Sequence, residues 1–146
     1  MRIYLDTSAL AKAYISETGS EAVRNAIELA SRTYISSLNL TEMRCLLARR
    51  TRAGDFTAEV ENLLWSAFQS DVRDEVFELV SVESGAYAQA AALIDRVAPI
   101  PLRTLDALHL NIAERLNPDR FFTTDKQLAK AALTIGLNVD TLVTRT

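Results

Sequence analysis

Apolar residues along the chain recur in two rhythms that alternate: short, nearly continuous runs, and longer stretches spaced three to four residues apart. The short runs are rich in β-branched and aromatic residues. They predict strands over 2–5 (RIYL), 33–36 (TYIS), 76–82 (VFELVSV), 120–123 (RFFT) and 138–143 (NVDTLV). The longer stretches predict helices. A short one covers 10–15, and 21–31 follows after Gly19 and Ser20, with Ala22, Val23, Ala26, Ile27 and Ala30 at helical spacing. Leu40, Met43, Leu46 and Leu47 form one stripe of a helix over 40–52, closed by Gly54. Val60, Leu63, Leu64, Ala67 and Phe68, with Trp65 beside them, mark a helix over 57–73. Two such helices joined by a short turn predict a helical hairpin. Helices over 85–97, stopped by Pro99 and Pro101, over 105–116, stopped by Asn117-Pro118, and over 126–135 complete the pattern. Strands alternating with helices imply an α/β fold with a mostly parallel sheet.

Composition narrows the picture. At 146 residues, 49% hydrophobic and 24% charged, the chain reads as one globular domain over 1–146. The lone cysteine, Cys45, lies in the apolar stretch MRCLLA and is expected as a small core residue; with no internal disulfide available, a reducing compartment is the simpler assumption. No apolar run approaches the length of a membrane span, and an aspartate at position 6 breaks any signal-peptide core, so a cytoplasmic location is expected. A net charge of −3 argues against nucleic-acid binding by bulk positive charge. It leaves room for an acidic site neutralised by metal, where the bound ion sets the local sign.

The acidic residues fall in suggestive places. Asp6 follows the first predicted strand and Asp125 the fourth, and sites in open α/β sheets form beyond the carboxyl ends of strands where strand order reverses. Spacing alone does not make those strands neighbours. Glu42 and Asp106 sit in first turns of helices among apolar neighbours: Leu38 and Leu46 around Glu42, Leu110 and Ala113 on the face of Asp106. Burying an unpaired carboxylate is costly, so such groups are paired, hydrogen-bonded or metal-bound. The plainer reading of each residue also stands: acids in a first turn favour the helix dipole, and Asp6 and Asp125 suit helix caps. If the four form a metal site, its oxygen ligands suit Mg²⁺ or Mn²⁺, whereas one histidine and one cysteine cannot assemble an ordinary zinc site. Such ions polarise a phosphodiester and generate hydroxide without a histidine base. Apolar burial of Glu42 further predicts that Glu42→Gln stabilises the metal-free fold by relieving repulsion.

YLDTSAL at 4–10, SSLNLTEMRCLL at 36–47, LDALHL at 105–110 and FFTTDKQLAKAA at 121–132 together resemble the PIN-domain family, and within it the VapC-type toxins of bacterial toxin–antitoxin pairs. The likeness runs over essentially the whole chain. It implies a PIN-like three-layer α/β/α fold, with a five-stranded parallel sheet in which the first and fourth strands are adjacent. It implies that Asp6, Asp106 and Asp125 ligate the metal and that Glu42 completes the acidic cluster. Thr7, Ser8 and Thr123 match small hydroxyl positions that orient the ligands or touch phosphate; helix capping and β propensity are their plain alternatives. The activity implied is Mg²⁺- or Mn²⁺-dependent endonucleolytic cleavage of RNA, restraining translation, with a VapB-like antitoxin as partner and a homodimer as assembly. A catalytically silent PIN-fold binding module is the alternative. A phosphoacceptor receiver domain is disfavoured by the absence of a lysine after the fifth strand, and a DNA flap nuclease by the lack of a strand-threading insertion.

Other residues stay outside the implied site. His109, three residues past Asp106, is expected to be structural or superficial. Arg49, Arg50 and Arg52 suit a helix C-terminus, with phosphate contact as the alternative; Arg103 and Lys126, beside acidic motifs, are better phosphate candidates. Trp65 and Phe68 fit either the core or a partner surface.

Overall fold

The first strand decides how the molecule is layered. In β1 (Arg2–Leu5), Ile3 and Leu5 point to one side and Tyr4 to the other, and all three are buried. Both sides must therefore be covered, as in parallel sheets whose crossovers are helices. The computed structural model describes residues 1–142, and it covers both. After β1 the elements run α1 (Thr7–Ala11), α2 (Ser20–Leu29), β2 (Arg32–Ser36), α3 (Ser37–Arg52), α4 (Ala58–Arg73), β3 (Glu78–Val80), α5 (Ala86–Arg96), α6 (Thr104–Leu116), β4 (Arg120–Phe122), α7 (Lys126–Thr134) and β5 (Val139–Asp140).

The sheet has five strands in the order β3-β2-β1-β4-β5, every pair parallel. Strand order runs outward from β1 on one side and from β4 on the other, so the reversal lies between β1 and β4, with Leu5 opposite Phe122. Ile3, Leu5, Ile35 and Phe122 pack with residues of α1 to α4, including Leu10, Val23, Met43, Leu47 and Phe68. Tyr4, Tyr34 and Phe121 pack on the opposite face with Leu93, Leu110, Ile112, Leu128 and Ala131 of α5 to α7. The result is the three-layer α/β/α arrangement with a central parallel sheet.

α3 and α4 form the expected hairpin across residues 53–57, where Gly54 takes a positive φ of 85° that a side chain would strain. An Arg44–Glu61 ion pair at 2.9 Å and the Arg44 guanidinium over the Trp65 ring tie the two helices. Phe68 is fully buried and touches Tyr14, Trp65 and Phe77, so it belongs to the core. Leu63, 69% exposed, and Val60 and Ala67 lie off the buried stripe.

Several boundaries move. The first helix begins at Thr7 rather than residue 10, because the Asp6 carboxylate accepts the Ala9 N–H and starts it early. The third strand shrinks from 76–82 to Glu78–Val80, since β2 offers ladder partners only as far as Ser36, where α3 begins. The fourth stops at Phe122, leaving Thr123 just beyond it. Of the expected strand over 138–143, Val139–Asp140 pairs with β4 and Leu142 turns at φ 57°; Val143 lies outside the described residues. Cys45 is exposed rather than in the core, because α3 turns its Met43–Leu47 face inward.

Truncating the hairpin's anchor tests this packing. Phe68→Ala is expected to cost about 3–5 kcal/mol of unfolding free energy in urea denaturation. Leu63→Ala should stay within about 0.5 kcal/mol of the parent.

Candidate acidic site

Because β1 and β4 are neighbours, the chain leaving each strand arrives at the same place. The Asp6 N–H still donates to the Phe122 carbonyl, at 3.1 Å. The Asp6 side chain is 4% exposed, and its carboxylate is fully engaged. Oδ2 accepts from Thr123 Oγ1 at 2.5 Å, and Oδ1 accepts from Ser8 Oγ at 2.6 Å and from the Ala9 N–H at 2.9 Å. Ser8 Oγ also accepts the Thr124 N–H, and Thr123 Oγ1 the Asp125 N–H, both at 3.0 Å. The two hydroxyls thus stitch the loop after β1 to the loop after β4. Burial pushes the Asp6 carboxyl up, and the nearby His109, Ser8, Thr123 and the Ala9 N–H pull against it.

Asp125 is divided between two tasks. Oδ1 caps α7 by accepting the Gln127 and Leu128 N–H groups, each at 2.9 Å, while Oδ2 meets Arg103 Nη2 at 3.3 Å. Capping and site membership therefore do not exclude each other. Asp106, in the first turn of α6, lies 3.7 Å from Arg103 Nε. The Arg103 side chain is 84% exposed and reaches back over both carboxylates. Burial and then Asp125 raise the Asp106 carboxyl; Arg103 lowers it, and Asp6 raises it further.

Glu42 comes from α3. Its Oε1 accepts from Thr7 Oγ1 at 3.0 Å and meets His109 Nε2 at 2.5 Å. Burial acts to raise this carboxyl, but the His109 hydrogen bond and charge, with Thr7, outweigh it, and the net shift is downward. Thr7 is itself held by Asn39 Nδ2 at 3.2 Å. Asp6, Glu42, Asp106 and Asp125 all line one pocket of about 780 Å³. Thr41, Cys45, Leu46 and Arg49 of α3 wall one side, and Leu102, Arg103, Thr104 and Leu105 wall another.

All four expected acids therefore line one pocket; Thr7 donates its hydroxyl to Glu42, and Ser8 and Thr123 donate theirs to Asp6. Among the described residues no three His, Cys, Asp or Glu side chains enclose a single cation as they lie. The donor set nonetheless suits a hard ion: all oxygen, mutually repelling, and shared among few carboxylates, as a cation that keeps several waters requires. Arg49 and Arg103 are on the pocket walls, whereas Arg50 pairs with Glu17 and Asp55, and Lys126 is exposed outside it. Of the two roles expected for His109, structural or superficial, it takes the structural one, being 1% exposed, and it bonds Glu42 directly. Its LDALHL context carries the signal, since on a helix it falls one turn from Asp106. Its partners, Tyr4 and Glu42, are 105 and 67 residues away and leave no local trace.

The chain belongs to the PIN domain family, whose model matches residues 3–133. It is 32% identical over 140 residues to Ribonuclease VapC46 of Mycobacterium tuberculosis, covering 94% of this chain and 95% of that protein. Among solved structures, a FitAB complex bound to an IR36 DNA fragment superposes with a TM-score of 0.74 at 15% identity, covering 99% of this chain and 98% of that one. VapC20 of Mycobacterium tuberculosis, described as a sarcin-ricin loop cleaving toxin, gives 0.68 at 17% identity, covering 88% and 94%. At those identities the structural likeness speaks for the fold.

The carboxyl shifts give opposite expectations for two variants. A carboxyl raised on folding contributes stability below its ordinary value, 3.8 for Asp106, and loses it as pH rises through the native value. Asp106→Asn should thus raise the melting temperature in chelator at pH 7 by a few degrees, and by less at pH 4. Glu42 is lowered instead, so its contribution is present above 4.5 and is lost as pH falls through the lowered value. Glu42→Gln is therefore expected to lower the melting temperature at pH 7, reversing the expectation drawn from apolar burial alone. Calorimetry at the two pH values checks both.

Proposed function

We propose that this chain is a metal-dependent endoribonuclease, the toxin of a toxin–antitoxin pair, which cleaves RNA phosphodiesters and so restrains translation. The observation that carries this reading is the convergence of Asp6, Glu42, Asp106 and Asp125, from four separate segments, on one pocket at the β1/β4 reversal. Likeness to Ribonuclease VapC46 over nearly the whole chain supports the substrate class.

In this reading Asp6, Asp106 and Asp125 hold Mg²⁺ or Mn²⁺, and Glu42 completes the cluster from the α3 side. The bound ion supplies charge for the phosphate and an activated water. The protein's part is placement. Ser8 and Thr123 fix both oxygens of Asp6, so this ligand needs no reorganisation when phosphate arrives. Asp125 keeps Oδ1 on the α7 cap and offers Oδ2 to the pocket. Arg103 and Arg49, at the walls, are the cationic side chains available to a phosphate backbone there.

The partner in this reading is a VapB-like antitoxin, as the VapBC2 assembly of Rickettsia felis among the structural neighbours supports, and one that covered this pocket would block cleavage. The expected assembly is a homodimer in the cytoplasm. Among the described residues no helix is long and apolar enough to cross a membrane.

The decisive experiment incubates purified protein with total cellular RNA in Mg²⁺ or Mn²⁺ and in EDTA. Discrete fragments that require metal are expected, with Asp6→Asn, Asp106→Asn and Asp125→Asn each reducing cleavage about 10²-fold or more while circular dichroism is unchanged. Metal-independent fragments, or full cleavage by any of the three variants, would remove the corresponding part of the reading. A folded, metal-loaded protein that leaves every RNA intact would favour a silent binding module.

A further inference from the structure

Glu42 is held from behind by a buried chain of polar groups that none of the roles above uses. His109 Nε2 meets Glu42 Oε1 at 2.5 Å, and on the far side of the ring Nδ1 meets the Tyr4 hydroxyl at 2.6 Å. Tyr4 is fully buried in β1 and stacked on Phe121 at 5.6 Å, and His109 lies on α6. The imidazole thus bridges the sheet and two helices inside an otherwise apolar layer. Both ring nitrogens are partnered, as a buried imidazole requires, and one of the two partners is a side chain of the pocket.

The geometry at Glu42 is one-sided. Thr7 and His109 both converge on Oε1, leaving Oε2 without a protein donor among the described residues while the side chain lines the pocket. Glutamate has several freely rotating bonds, so a single tether would leave its carboxylate mobile. Two donors on one oxygen, arriving from α1 and α6, fix the plane of the group. Thr7 is in turn braced by Asn39, and His109 by Tyr4. Burial keeps the Tyr4 phenol protonated, so it remains a neutral anchor.

We propose that His109 is a positioning residue: with its ring locked by Tyr4, it holds Glu42 Oε1 through an Nε2–H donor and so presents Oε2 to the cation in the pocket. This rests on the metal-dependent reading of the site. The donor position, rather than a proton lost or gained, is what matters. The glutamine amide reaches roughly where Nε2 lies and carries a donor there, whereas the asparagine amide reaches only where Nδ1 lies, its oxygen accepting from the Tyr4 hydroxyl. His109→Gln therefore preserves the bond to Glu42, whereas His109→Asn preserves only the one to Tyr4.

Isothermal titration of the full chain with Mn²⁺, free of antitoxin, separates the two. His109→Asn is expected to bind Mn²⁺ about 10-fold more weakly, the scale of losing a partner that orients a ligand. His109→Gln should recover most of that loss. In the Glu42→Gln background His109→Asn should cost nothing further, because the residue acts only through Glu42. Equal affinity in all these proteins, or a His109→Asn loss that simply adds to that of Glu42→Gln, overturns the proposal. If His109→Asn does not fold, Tyr4→Phe and nuclear magnetic resonance decide it. Tyr4→Phe removes one buried oxygen and should weaken Mn²⁺ binding in the same direction; unchanged affinity there counts against the bridge. Nitrogen-15 correlation spectra should place a solvent-protected proton on His109 Nε2, and a bare Nε2 overturns it. Absence of RNA cleavage by the wild type with the binding pattern intact would reject the nuclease reading and leave the positioning role standing.

Discussion

The parallel pairing of β1 with β4 governs both the fold and the site. It sets the point where strand order reverses, and it carries the loops after both strands to one spot. There the Thr123 hydroxyl donates to a buried Asp6 carboxylate, and Ser8 ties the same carboxylate to the chain beyond β4. A carboxylate sealed from water survives only with its lone pairs occupied. The donors that satisfy Asp6 are also the contacts that close the sheet's carboxyl end. Stability and placement of the acid are one arrangement.

Around that fixed group the rest of the pocket is electrostatically uneasy. Burial and the neighbouring Asp125 raise the cost of ionising Asp106, and an exposed arginine, 3.7 Å from Asp106 and 3.3 Å from Asp125, is its main relief within the chain. An ion pair so open to solvent contributes little. Glu42 differs, because buried donors stabilise its charge. The site thus joins two rigidly held acids, Asp6 and Glu42, to two whose repulsion a cation would relieve. Proteins commonly concentrate such unfavourable electrostatics where function needs it.

The layering supports this asymmetry. α1 to α4 on one face supply Thr7, Ser8 and Glu42, and α5 to α7 on the other supply Asp106, His109 and the helix that Asp125 caps. The pocket is therefore assembled from both layers at the carboxyl end of the central strands. The bond between Tyr4 and His109 joins β1 to α6 directly beneath it.

Much of this was legible in the chain by itself. Alternating short apolar runs and helical stripes determined the element order, because periodicity reports which side of each segment is buried. Acids placed just after strands, or on apolar helix faces, determined the candidate cluster, because burying charge demands a reason. Spacing along the chain left open that β1 lies beside β4; the family resemblance implied it, and the tertiary structure decided it. Parallel strands are joined through long crossovers, and local sequence does not encode the partner across the sheet. It also decided where strands end, since a ladder stops when its neighbour turns into a helix, as β2 does at Ser36. It decided as well that Cys45 is exposed and that His109, expected as structural or superficial, is buried: burial is set by which helix face meets another layer, and a polar ring becomes a core residue once distant partners such as Tyr4 and Glu42 satisfy both its nitrogens.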